Sequence, residues 1–168
     1  LRFLVFSLSR LTAAPGAAAA EDASEPAPEP ELPPLHQKAY DAIAANDLET
    51  AIAAYEQALK ENPKDTDAAA GLANVQLLER TSRMTLEDVR RAAADAPDDV
   101  QAQLDVADLD LAGGKVEDAL GRLIELVARL TGDDRERLRV RLVDYFTILG
   151  NEDPRVGPAR RALANALY

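Results

Sequence analysis

A spacing of 34 residues recurs along most of this 168-residue chain. Pro63 in "ENPKD" and Pro97 in "DAPDD" are 34 residues apart, and each follows a stretch with helical periodicity. The alanines Ala39, Ala73 and Ala107 show the same spacing. Because independent features share one period, the chain is predicted to repeat a single unit of two short helices. Such a unit cannot bury its apolar face alone, so neighbouring units must stack.

The first unit spans residues 32–65, and its composition indicates how its two helices fit together. Its second half, "ANDLETAIAAYEQALKENPKD", begins with a polar turn and ends near a proline, which lacks an N–H and terminates helices. Ala51 and Ala58 are small enough to let two antiparallel helices approach closely, and Tyr55 fills the space beside them. A 34-residue helical hairpin of this kind resembles the tetratricopeptide repeat. That resemblance implies a concave groove that binds peptides or protein surfaces.

The later units follow the same pattern less regularly. The second unit, 66–99, has "ERTSRM" in place of the tight turn, and Thr85 with Asp88 predicts a capping box before its second helix. The third unit has its helix–helix joint at Gly113–Gly114. The last helix pair carries an apolar stripe made of Leu138, Leu142, Tyr145, Phe146 and Leu149. The sequence therefore predicts an all-α, tetratricopeptide-type solenoid of three to four helical hairpins over residues 35–168.

The N-terminal part of the chain has a different composition. Residues 12–34 hold six of the ten prolines, five acids and no base, so they are predicted to form a disordered, self-repelling linker. Residues 1–11, "LRFLVFSLSRL", form a short apolar segment with two explanations. It is either the remnant end of a preceding domain or part of a signal-like sequence within residues 1–20. The apolar run is too short to span a bilayer.

Charge limits the classes of partner. The chain has 19 basic and 30 acidic residues, for a formal net charge of −11, which argues against nucleic-acid binding because that affinity depends on neutralising phosphates. Residues 12–119 hold 23 acids and 8 bases, whereas residues 120–168 hold 7 acids and 9 bases. An acidic partner surface would therefore meet the C-terminal third, in a salt-dependent association.

The side chains needed for catalysis or metal binding are scarce. There is no cysteine, which excludes disulfides, thiolate catalysis and zinc–thiolate sites. His36 is the only histidine and is interpreted as a solvated or cap-neighbouring side chain at a helix start. Asp105, Asp108 and Asp110 fail as a calcium loop, because Ala119 stands where a glutamate is required, and they are interpreted as a solvated helix face. The chain is predicted to be non-enzymatic, with no cofactor, metal or small-molecule substrate.

The basic stretch "RERLRVR", residues 135–141, has two interpretations. Its four arginines alternate with other residues, so that pairs of them share a helical face. The first interpretation is a solvated helix face. The alternative is an anionic docking patch formed together with Arg155, Arg160 and Arg161.

One subclass of tetratricopeptide domains holds the C-terminal carboxylate of large chaperones with a clamp of lysines, asparagines and an arginine. The corresponding positions in this sequence are His36, Tyr40, Gly71, Gln101 and Asp105. None of them carries the required side chain, and Asp105 has the opposite charge. A carboxylate clamp is therefore predicted to be absent.

A more specific resemblance is to the C-terminal half of bacterial thioredoxin-like co-chaperones, the chaperedoxin family. The similar stretches are "DVQAQLDVADLDLAGGKVEDALGRLIELV" and the more specific ending "DDRERLRVRLVDYFTILGNEDPRVGPARRALANALY", and the resemblance covers residues 32–168. Members of that family carry an N-terminal thioredoxin fold followed by a degenerate tetratricopeptide-like region. The resemblance implies binding of unfolding client proteins during stress and their transfer to the chaperonin and Hsp70 systems.

The same resemblance implies a docking role for the last helix, which in that family is implicated in contact with the chaperonin. The residues to which this role would fall are Arg160, Arg161, Leu163, Leu167 and Tyr168. Leu163 and Leu167 would also serve to cap the core of the solenoid, and both roles can hold. Gly157–Pro158 departs from the family pattern and predicts a kink, with the helix restarting at Pro158.

These observations predict a cytoplasmic, non-enzymatic protein-binding module of a thioredoxin-like co-chaperone. Its expected partners are unfolding client proteins and the chaperonin, with no nucleic acid and no membrane. One alternative is a generic tetratricopeptide scaffold that is exported or membrane-anchored through residues 1–20. Another alternative is an enzyme, or the regulator of one, that acts through a domain upstream of Leu1. Any thioredoxin-like redox activity would need such a domain.

Overall fold

The computed structural model describes residues 32–168, and these residues form eight α-helices and no strand. In chain order the helices are α1 (Pro34–Ala44), α2 (Leu48–Glu61), α3 (Thr66–Thr81), α4 (Leu86–Asp95), α5 (Val100–Ala112), α6 (Val116–Arg129), α7 (Gly132–Leu149) and α8 (Val156–Leu167). The predicted all-α, tetratricopeptide-type fold is confirmed. The apolar segment 1–11 and most of the predicted linker, 12–31, lie outside the described residues.

Side-chain caps set the starts of four helices. The capping residues are Asp47, Asp65, Thr85 and Asp99. At Thr85 the hydroxyl oxygen accepts a hydrogen bond from the backbone N–H of Asp88 (3.3 Å) and donates one to its carboxylate (2.6 Å). The predicted helix start at Thr85 is thus confirmed, but the reciprocal bond of a capping box, from the Thr85 backbone N–H to the Asp88 carboxylate, is replaced by the bond from the threonine hydroxyl. Each cap satisfies an N–H that has no acceptor within the helix.

The first hairpin, α1 with α2, is held together by small side chains. Ala39 and Ala51 have no exposed surface, and Ala58 is buried close to them. Tyr55 is buried beside these alanines, as the sequence predicts. Close approach of the two backbones follows from the absence of bulky side chains between them.

The larger core lies among α5, α6, α7 and α8, with a contribution from the end of α3. Leu138, Leu142 and Tyr145 are fully buried in it, Phe146 is nearly so, and Leu149 packs against its edge. The predicted stripe of α7 is therefore confirmed. The glycine joint between α5 and α6 is also confirmed, since the turn has a residue in the left-handed region, Gly114 with φ of 81°.

The second hairpin departs from the regular repeat. Helices α3 and α4 hardly touch each other, and α4 packs mainly against α5. Helix α3 instead contacts α5 and also α7, two hairpins further along the chain. Helix α3 continues to Thr81, within "ERTSRM", and residues 82–85 connect it to α4, so this connection differs from the three-residue joints of the first and third hairpins, as the sequence predicted. As a result α7 covers the side of the solenoid formed by α3 and α5.

The kink expected at Gly157–Pro158 is wrong. Helix α8 begins at Val156 and continues to Leu167, with Gly157 and Pro158 in its first turn. The first N–H groups of a helix have no acceptor within it, so a proline there removes no hydrogen bond. The proline therefore lies at the start of the helix rather than at a break.

Candidate protein-binding groove

An open groove lies between α1 and α3 at the N-terminal end of the solenoid. The two helices hardly touch, and each instead packs against α2 below them. The cavity between them has a volume of about 550 Å³. Its lining side chains come from the segment before α1, from the facing sides of α1 and α3, and from α2: Leu32, Pro33, His36, Tyr40, Ile43, Tyr55, Asp65, Asp67, Ala70, Gly71, Asn74, Val75 and Leu78. These residues define what we call the α1–α3 groove.

The floor of the groove is the ring of Tyr55, which reaches up from α2. A methyl group added to Gly71 would lie 2.4 Å from the nearest atom of this ring, so the ring occupies the space that any other residue would need. The ring of His36 packs edge-on against that of Tyr55, with centroids 5.8 Å apart. Burial, together with the neighbouring Tyr40 hydroxyl, raises the pKa of Tyr55 to about 12, so its hydroxyl stays protonated at neutral pH.

One end of the groove is closed by a hydrogen bond between His36 and Asp65, with 2.9 Å between Nε2 and Oδ2. Asp65 also caps α3, accepting from the backbone N–H of Ala68 at 2.8 Å. The Ala68 N–H first, and then His36, lower the pKa of the Asp65 carboxyl. The proposal of a solvated His36 is therefore wrong, since its side chain is buried, whereas its position next to a cap is confirmed. Sequence spacing could not show that a cap 29 residues away is its partner.

The rim of the groove is apolar and exposed. Tyr40 is 50% exposed and Leu78 is 41% exposed, and Leu32 extends the rim at one end. The charged residues that line it are Asp65 and Asp67, and no lysine or arginine is among the lining residues. The groove thus combines apolar contact area with negative charge.

The five positions that correspond to a carboxylate clamp lie in two separate places in the fold. His36, Tyr40 and Gly71 line the α1–α3 groove, but none of them offers a free cation. Gln101, on α5, accepts from the Arg137 guanidinium of α7 (2.7 Å) and donates to Asp105 (2.7 Å). The groove surface of α5 is therefore engaged with α7, and the open part is the portion between α1 and α3.

A buried ionic cluster joins α3, α5 and α7. The carboxylate of Asp108, with no exposed surface, accepts from Arg80 Nε at 2.8 Å, from the Tyr145 hydroxyl at 2.7 Å and from the Arg141 guanidinium. Burial and the adjacent carboxylate raise the pKa of Tyr145 well above its usual range, which keeps this hydroxyl a donor. We call these four residues the Asp108 cluster. Because its members come from three helices, the cluster fixes α7 against α3 and α5.

The solvated face proposed for the aspartates of α5 is therefore wrong for two of them. Asp108 and Asp110 are buried, and Asp110 pairs with Arg90 at 3.2 Å, whereas Asp105 is half-buried. The signal was present in the sequence: Asp108 lies four residues after Leu104 and three before Leu111, within the apolar stripe of the helix. A charge in that stripe requires a buried partner.

The arginines of α7 do not form one solvated face. Arg141 is largely buried against Asp108, and the Arg135 guanidinium donates to the carbonyl of Ala166 in α8. Arg139 pairs with Glu136 of its own helix. The interpretation of residues 135–141 as a solvated face thus holds only for the exposed part of the stretch. Most of its positive charge is already paired within the chain.

The five residues proposed for docking fall into two groups on α8. Leu163 is buried in the larger core and Leu167 packs against it, in agreement with a capping role. Arg160, Arg161 and Tyr168 are exposed, and the Arg160 guanidinium lies 5.4 Å from the centroid of the Phe146 ring. The exposed three are therefore the residues available to a partner.

Residues 32–168 contain neither a candidate metal site nor a candidate membrane-spanning helix. No group of three or more histidine, aspartate or glutamate side chains in this part of the chain is placed to hold a metal ion. None of the helices described is both long enough and apolar enough to cross a bilayer.

Stacked helical hairpins with an open groove define a class of protein: a helical-repeat scaffold of the kind that typically binds other proteins and is not catalytic. Family models for the tetratricopeptide repeat match residues 42–79 and 79–168. The chain belongs to the tetratricopeptide repeat family.

Curated relatives with detectable similarity are uncharacterized proteins of Mycobacterium tuberculosis and Mycobacterium bovis. They are 33% identical to this chain over 153 residues, which is 91% of this chain and 48% of each relative. The chain therefore spans about half the length of the curated relatives that it matches. No solved structure matches the chain significantly.

Proposed function

We propose that this chain is the protein-binding part of a thioredoxin-like co-chaperone, which captures unfolding client proteins and docks to the chaperonin. The observation that carries the proposal is the α1–α3 groove, an open surface with exposed apolar side chains on a repeat scaffold. Unfolding proteins expose apolar segments, and such segments gain free energy by burying that surface. A groove that is already formed does not have to be ordered when the client binds.

The co-chaperone part of the proposal has two supports. The ending "DDRERLRVRLVDYFTILGNEDPRVGPARRALANALY" resembles that of the chaperedoxin family. The curated relatives are also about twice as long as the matched region, which is enough for a further domain in them. Cytoplasmic action and the absence of nucleic-acid partners belong to the same proposal, the latter supported by the net charge of −11.

Client capture through the groove can be tested with an aggregation assay. The double variant Tyr40→Ser, Leu78→Ser removes the exposed apolar rim, and we expect it to lose most of the ability to suppress aggregation of a heat-unfolded model protein. The matched control is Leu86→Ser with Val143→Ser, because these side chains are similarly exposed, at 45% and 44%, but lie outside the groove. Equal suppression by the two double variants would contradict the role of the groove.

Chaperonin docking can be tested on the exposed part of α8. Deleting the helix would be uninformative, because Leu163 and its neighbours belong to the larger core. The charge reversals Arg160→Glu and Arg161→Glu, combined with Tyr168→Ala, keep that core, and we expect them to reduce recovery of purified chaperonin at least about tenfold. The control carries the reversals Lys64→Glu and Arg83→Glu, at exposed loop positions. Unchanged recovery with the α8 variant would exclude this docking surface.

A further inference from the structure

The α1–α3 groove has the opposite charge character to a carboxylate clamp. Its lining contains two aspartates and no lysine or arginine, and its histidine is already bonded to Asp65. Asp67 is exposed in the first turn of α3 and makes no ion pair with any residue of the described range. An anionic peptide end placed here would meet like charge and no counter-charge. The groove therefore disfavours the ligand that a clamp would hold.

The apolar surface of the groove is concentrated around one deep position. Three of the seven large apolar side chains that are exposed in residues 32–168 line this groove: Leu32, Tyr40 and Leu78. Beneath them the Tyr55 ring forms the floor, and Gly71 leaves the wall without a side chain. A volume of about 550 Å³ accommodates one or two large apolar side chains.

Two polar side chains of α3, Asn74 and Asp67, lie next to this position. One side-chain amide N–H of Asn74 donates to the carbonyl of Ala70 (2.8 Å), which leaves its second N–H and its oxygen, an acceptor, available to a ligand. The Asp67 carboxylate is a second acceptor on the same helix. A ligand must bring a donor to satisfy the Asp67 carboxylate, and the charge of that group favours a cationic donor.

We infer that the α1–α3 groove selects peptide segments in which an apolar anchor is flanked by lysine or arginine. The anchor fills the space over Tyr55 between Tyr40 and Leu78, and the cation pairs with Asp67. This inference rests on the proposed protein-binding function and adds to it the chemistry of the ligand. The overall charge of −11 supports the same preference by attracting cationic segments over longer distances.

The test uses three capped ten-residue peptides with the same central Leu-Phe pair, flanked by lysines, glutamines or glutamates. Binding to the full chain is measured by calorimetry, and its location by NMR shifts of the groove residues. We expect the lysine peptide to bind at least about tenfold more tightly than the glutamate peptide, with the glutamine peptide between them. We also expect this difference to shrink as salt is added.

Variants identify the residues responsible. Asp67→Lys is expected to reverse the order of the lysine and glutamate peptides, and the milder Asp67→Asn to reduce their difference. Tyr40→Ala is expected to weaken all three peptides alike. The control Asp95→Lys, at an exposed position of α4 outside the groove, should leave the order unchanged.

Several results would overturn the inference. Equal binding of the lysine and glutamate peptides, or an order that survives Asp67→Lys, would show that Asp67 does not select the ligand. Self-association that depends on Asp67, with no binding of the lysine peptide, would assign the groove to a second copy of the chain. Failure of client capture alongside lysine-peptide selectivity would count against the co-chaperone role but not against the ligand chemistry, so the two proposals fail separately.

Discussion

Replacement of Asp108 by asparagine is expected to lower the free energy of unfolding by about 3–5 kcal/mol, the usual cost of removing one partner from a buried ion pair. The asparagine has the same shape but no charge, so Arg141 and Arg80 lose their shared counter-charge. Tyr145 can still donate to the amide oxygen, which limits the loss to the ionic contacts. Because a typical domain is stable by only about 5–15 kcal/mol, this single change should be visible in any denaturant titration.

A control and a rescue separate charge from packing. Asp105→Asn lies on the same helix, is half-buried and bonds only an exposed glutamine, so we expect a change within about 0.5 kcal/mol. The rescue replaces the whole Asp108 cluster with apolar side chains: Asp108→Leu, Arg80→Met, Arg141→Met and Tyr145→Phe. Apolar replacement of a complete buried ion cluster is often neutral or stabilising, so stability should return. A rescue variant as unstable as Asp108→Asn would show that shape, rather than unpaired charge, causes the loss.

Alanine at Gly71 and alanine at Gly121 are expected to change stability in opposite directions. Both glycines lie inside helices, where alanine is intrinsically more favourable by about 0.5–1 kcal/mol. At Gly121 a new methyl group would meet nothing within 4 Å, so Gly121→Ala should gain this amount. At Gly71 the methyl group would lie 2.4–2.8 Å from three atoms of the Tyr55 ring. The buried ring must move, and we expect a net loss of about 1–3 kcal/mol.

A double-variant cycle tests whether the collision is the cause. Tyr55→Leu removes the ring atoms that the new methyl group would strike, at the cost of a cavity in the first hairpin. In that background Gly71→Ala should become neutral or stabilising, which thermal unfolding of the four proteins would show. A loss of equal size in both backgrounds would mean that Tyr55 is not what requires a glycine at this position.

The helices could be predicted from the sequence because their determinants are local. Thr85 and Asp88 define a helix start three residues apart, and the stripe from Leu138 to Phe146 follows the helical period. The wrong prediction of a kink at Gly157–Pro158 also had a local cause, because a proline disrupts the interior of a helix but is compatible with its first turn. The helix begins two residues before the predicted restart at Pro158, which places the proline in the first turn.

The groove could be predicted only as a consequence of the repeat. The repeat pattern indicates which residues of α1 and α3 face inward, and the sequence at those positions shows directly that the side chains of a carboxylate clamp are missing. Its open state reflects how little α1 and α3 touch, and its coverage by α7 further along accompanies the opening of the second hairpin. That opening is a packing outcome among helices far apart in the chain.

The sequence alone determined the helical content, the repeat period, the small side chains between α1 and α2 and the net negative charge, because each depends on residue type and short-range spacing. The tertiary structure decided which charges are buried and which are free. Asp108 meets Arg141, which is 33 residues away, and His36 meets Asp65, which is 29 residues away. Such pairs are specified by the packing of whole helices, and the free energy of a charge depends on what surrounds it in space rather than on its neighbours in the chain.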